Sequence, residues 1–115
     1  MKVSYFETGR YQVRAGLPAT WPMPAVAYDT SEGRRAFQGM IERITFAEKL
    51  GFDWVSLSEH HYSPRILTPS PVAAAYVAAR VHKIKIALLG PIVSHSNPVA
   101  SPRSWRCSIP WRTGV

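Results

Sequence analysis

At 115 residues the chain has room for one domain, and its 46% hydrophobic content is normal for a globular protein and too high for disorder. It holds no apolar run of the about eighteen residues that span a membrane, no secretory signal at its start, and a lone Cys107 that excludes an internal disulfide, all of which suits a reducing cytoplasm. The net charge of +7 invites a nucleic-acid reading, yet Arg103, Arg106 and Arg112 lie beyond position 100 where no acid occurs, and the other eleven basic residues against seven acids leave +4 with no recognisable binding module.

Residues 2–8 read as a short strand, with Val3, Tyr5 and Phe6 apolar. A long connection follows from about Gly9 to Thr30, with Pro18, Pro22 and Pro24, and with Tyr11, Trp21 and Tyr28 among them. Loops of this length are functional or disordered as a rule, and the aromatics suit one packed over a site; a plain surface loop is the alternative. Ser31 stands where a helix cap is expected, with Glu32 in the first turn. Phe37, Met40, Ile41, Ile44 and Ala47 then recur at three- and four-residue spacing, one apolar stripe of a helix over about 33–50, and Gly51 stops it. Arg34, Arg35 and Arg43 alternate on it with Glu32, Glu42 and Glu48, the pattern of a solvated face.

A second strand near 53–58 ends in Ser58-Glu59-His60-His61. Ser70 is placed to cap the next helix, over about 71–81, with Pro71 in the first helical position. Its run of alanines requires close packing against a neighbour. A third strand near 84–90 carries Ile84, Ile86, Leu88 and Leu89, and so continuous an apolar run suits a strand buried on both faces. Strand, helix, strand, helix, strand means parallel βαβ units. A doubly wound sheet and a (β/α)₈ barrel both satisfy that order, although no glycine-rich phosphate loop follows the first strand. Taken by themselves, adjacent histidines at a strand end are loop residues with satisfied hydrogen bonds. A metal pair is the weaker reading, because neighbours on a strand point to opposite faces.

Gly51-Phe52-Asp53-Trp54-Val55 leading into Glu59-His60-His61, then Pro71-Val72-Ala73-Ala74-Ala75, then Asn97-Pro98-Val99 after an apolar strand, resembles the luciferase-like flavin-dependent monooxygenases. The resemblance covers roughly residues 2–99, with the four features in the family's order and spacing. It implies the α/β class as a partial (β/α)₈ TIM barrel, about the first three βα units of a fold that needs about 250 residues. It also implies reduced FMN as cofactor, or a deazaflavin in one branch, with a flavin reductase supplying the reduced form. Molecular oxygen and a small organic substrate such as an aldehyde complete the reaction, and family members are often dimeric. By resemblance His60 is the active-site histidine, able to exchange protons near neutral pH. Glu59 is then placed to fix its ring, and His61 to support it from behind. Leu89 and Gly90 align with the position at which some members carry a cis peptide under the flavin ring, a glycine there letting the backbone approach it closely. An ordinary strand-end turn before Pro91 is the other reading of Gly90.

Residues 100–115 break with what precedes them. Two of the four tryptophans (Trp105 and Trp111) and the only cysteine fall there, without apolar periodicity and with Pro102 and Pro110 interrupting any helix. One nucleotide restored after the codon for Val99 permits a back-translation beginning Val-Arg-Val-Ala-Glu-Glu-Leu-Ala, a helix start with acids where the dipole favours them. A domain over 1–99 followed by a frameshifted, irregular tail over 100–115 is therefore expected, with a selected terminus as the alternative. A chain truncated in this way is expected to be inactive alone, and a non-catalytic fragment or a small basic binding protein is the competing reading.

Overall fold

The computed structural model describes residues 1–11, 20, 22, 24–61, 65–66, 70–92, 94 and 97. The expected tail over 100–115, Trp21, and Pro98-Val99 of the last motif lie outside the described residues.

Strand β1 (Ser4–Glu7), helix α1 (Thr30–Lys49), strand β2 (Trp54–Ser58), helix α2 (Ser70–Ala78) and strand β3 (Lys85–Leu89) follow one another, with a 3₁₀ turn at Ala25–Ala27 before α1. The sheet runs β1-β2-β3, with both pairings parallel. The alternation read from the sequence therefore holds, element by element.

Asp29, not Ser31, caps α1: its carboxylate accepts from Ser31 N at 2.8 Å and Glu32 N at 3.1 Å. Ser31 falls inside the first turn because the aspartate two residues earlier already holds the extended backbone a cap needs. At the other end Gly51 takes φ +84°, the left-handed turn that lets the chain leave the helix for β2. The stripe expected on α1 is the buried one. Met40, Ile44 and Ala47 join Val55 and Leu57 of β2, Ala73, Ala74 and Val77 of α2, and Val81 and Ile84 in one cluster. Met40, Ile44, Val55, Leu57 and Val77 are fully buried, each worth about 1.5–3 kcal/mol relative to exposure.

Both helices contribute to this cluster, so both lie over one face of the sheet, the face of Tyr5, Val55, Leu57, Ile86 and Leu88. By the pleat the other face carries Ser4, Phe6, Trp54, Ser56, Ser58 and Leu89, with Phe6 and Leu89 about half exposed.

The expected partial (β/α)₈ barrel is not what the chain forms. The described residues make an open, three-stranded parallel sheet with two helices. The reading of β3 as buried on both faces fails with it: none of its five residues is buried, since among the described residues it has a neighbouring strand on one side only. Within the strand only Ile86 and Leu88 of the apolar run pack against the core beneath the helices, while Leu89 on the other face is about half exposed.

Candidate functional site

In parallel α/β sheets, ligands sit outside the carboxyl ends of the strands, and three features converge at that edge. The first is built on Glu59, the residue that follows β2. Having passed Ser58 on the open face, the pleat returns Glu59 to the helix side, where its buried carboxylate meets the start of α2. Oε2 accepts from Ser70 Oγ at 2.7 Å and Ser70 N at 3.3 Å, and Oε1 lies 2.7 Å from His61 Nε2. Helix α2 has no acid in its own first turn. Glu59 supplies that charge from the strand, at the positive end of the helix dipole. Burial pushes the Glu59 carboxyl up, but the hydrogen bonds from Ser70 and His61 together outweigh it and leave the group below the ordinary glutamate range.

This geometry revises the expected roles. Glu59 holds His61, not His60, because residues two apart share a face whereas neighbours do not. Ser70 stands at the helix start as expected, but its hydroxyl is given to Glu59. His60 is exposed, without a hydrogen-bond partner among the described residues, and it is carried between two anchored neighbours. Ser70 as a partner was missed by sequence reasoning; the helix lacking an acid of its own was the available signal.

The second feature is the end of β3. Gly90 takes φ +68°, and a Cβ added there meets nothing within 4 Å. Leu89 beside it is 49% exposed, and Ser58, its register partner, has a buried hydroxyl with no partner among the described residues. An open backbone next to an unsatisfied hydroxyl suits a flat group with a polar rim.

The third is a groove of about 450 Å³ lined by Tyr11, Tyr28, Gly33, Arg34, Phe37 and Ile66. The buried Tyr11 ring lies 5.4 Å from that of Tyr28, and its hydroxyl donates to Asp29 O at 3.0 Å while accepting from Asp29 N. The two ends of the long connection are thereby tied together, and two of its aromatics line a concave surface. Ile66 reaches the groove because its N–H donates to Gly9 O at 2.8 Å, joining the connection after β2 to the one after β1.

Among the described residues no three His, Cys, Asp or Glu side chains come together to hold a metal ion, and no helix is long and apolar enough to cross a membrane. No protein-family model matches the chain, and no curated protein matches it either.

Proposed function

We propose that the chain carries the acid–base side of a flavin-dependent oxidoreductase of the luciferase-like kind, acting with molecular oxygen on a small organic substrate. The observation that carries the reading is the strand end at Glu59-His60-His61: an exposed histidine between Glu59, held by Ser70, and His61, held by Glu59. A group placed in this way exchanges protons with a substrate while its backbone stays fixed. Reduced FMN, or a deazaflavin in its place, supplies when bound the electron pair by which one oxygen atom enters the substrate and the other leaves as water.

The chain's own residues would then divide the work. Leu89 and Gly90 give a flat ring open access to the backbone, and the Ser58 hydroxyl answers a polar atom on its rim. The groove beside Tyr28 and Phe37 offers an apolar substrate an aromatic surface to rest on. A flavin reductase is the implied partner for supply of the reduced cofactor. Turnover by this chain alone is not expected, because one open sheet offers a flavin a single wall.

Anaerobic titration of the intact chain with reduced FMN, followed by absorbance, tests the reading. Saturable binding supports it. No binding up to about 1 mM, roughly 4 kcal/mol of affinity, removes the flavin and leaves a non-catalytic chain.

A further inference from the structure

Arg10 and Arg65 are fifty-five positions apart, yet they form an isolated antiparallel bridge where the connections after β1 and β2 meet. The bridge is reinforced by the Ile66 N–H donating to Gly9 O at 2.8 Å. Residues directly opposed in an antiparallel pair carry their side chains to the same side, and like charges in that relation repel. The acids nearest in sequence do not relieve the repulsion. Glu7 is buried and committed to Arg43 Nε at 2.9 Å, Tyr5 Oη at 3.1 Å and Gly9 N at 2.9 Å. Glu59 is committed to His61 and Ser70. Neither Arg10 nor Arg65 has an ion-pair partner among the described residues. Arg65 Nε is moreover buried with no acceptor there, a state that buried donors rarely keep.

We propose that Arg10 and Arg65 form an anion site for a phosphate monoester. A dianion between the two guanidiniums removes their repulsion and gives Arg65 Nε its acceptor, and the planar fork of arginine matches phosphate oxygens pairwise. The site lies at the carboxyl edge of the sheet, where α/β folds bind such groups. It is independent of the flavin reading, because any small molecule ending in phosphate satisfies it.

The test is titration of the intact chain at constant ionic strength with phenyl phosphate, inorganic phosphate and acetate, followed by the thermal midpoint and by arginine Nε–H resonances. The expected result is a saturable rise in midpoint with both phosphates, acetate at least about tenfold weaker, and a shift of the Arg65 Nε–H signal. Arg10→Gln and Arg65→Gln should each weaken phosphate about tenfold or more, whereas Arg80→Gln, on the Tyr76 ring, leaves it unchanged. Equal losses in all three variants would mean general basic charge and overturn the site, as would an unshifted Arg65 Nε–H at saturation. FMN compared with riboflavin separates the two proposals: FMN binding no tighter than phenyl phosphate, with the same Arg65 Nε–H shift and no riboflavin binding, keeps this site and removes the flavin reading.

Discussion

Glu59 shows how one side chain acquires a function from position and not from type. Its carboxylate is buried, accepts two hydrogen bonds from Ser70 and faces His61, so its charged form is favoured despite desolvation. A carboxyl whose folded pKa is depressed contributes stability that is present above its unfolded pKa and lost as pH falls through the folded value. The wild-type urea midpoint should therefore fall below about pH 4.3, the ordinary glutamate range, and Glu59→Gln should flatten part of that fall. Asp53, held below the ordinary aspartate range by the hydrogen bond from Lys2 and by the Val3 N–H, adds its own loss on the acid side. The difference between wild type and Glu59→Gln, measured at each pH, isolates the Glu59 share; identical pH profiles would mean that the contact adds nothing. In a preparation with flavin-dependent turnover, His60→Ala should lower it by about 10²–10⁴-fold with flavin affinity nearly unchanged. His61→Ala should act chiefly through stability, since His61 serves Glu59. Near-full turnover in His60→Ala would make that histidine merely structural.

Elements in this fold are joined by carboxylates at their ends. Glu48, near the end of α1, accepts the backbone N–H groups of His82, Lys83 and Ile84 at 2.6, 2.5 and 3.0 Å, fixing the turn that delivers β3. Three successive amides aimed at one oxygen make an anion-binding concavity, here filled by the protein itself. Glu48→Ala should cost about 0.5–1.5 kcal/mol by denaturant unfolding, because the amides of His82 and Lys83 are exposed and water replaces much of the lost acceptor. Glu48→Gln, which keeps an oxygen, should cost less. Asp53 ties the sheet in a similar way: its carboxylate takes Lys2 Nζ at 2.7 Å and Val3 N at 2.9 Å, and its carbonyl accepts from Lys85 N at 3.0 Å. The glycine-led segment that opens β2 thus serves the sheet before it serves any ligand.

At the scale of the molecule the decisive fact is that, among the described residues, both helices pack on one face of the sheet. Helices α1 and α2 share a single core over Val55 and Leu57, and Leu57→Ala should cost about 2–5 kcal/mol. On the other side Phe6 and Leu89 are about half exposed, and β1 and β3 each have one outer edge without a partner strand among the described residues. Exposed apolar residues on unpaired edges promote association. Phe6→Lys should therefore reduce light scattering on concentration while leaving the unfolding midpoint within about 0.5 kcal/mol. A large loss of stability would show that Phe6 is packed in solution.

Local patterns determined the elements and their order, because helix and strand periodicities are properties of neighbouring residues. The stripe from Phe37 to Ala47, the stop at Gly51 and the strand through Val55 and Leu57 were legible for that reason. The cap was misplaced by two residues, since Asp29 and Ser31 are both good caps and only backbone conformation separates them. What β3 packs against was not legible: an apolar run reads the same whether one face is covered or two, and edge or centre is settled by which strands pair. The site divided along the same line. The candidate strand end at Glu59-His60-His61 was singled out by its resemblance to a family motif, whereas the partner of Glu59 could not be read at all. Ser70 lies eleven residues away and Arg65 meets Arg10 across fifty-five, and contacts of that span exist only once the sheet has brought the connecting segments to one edge.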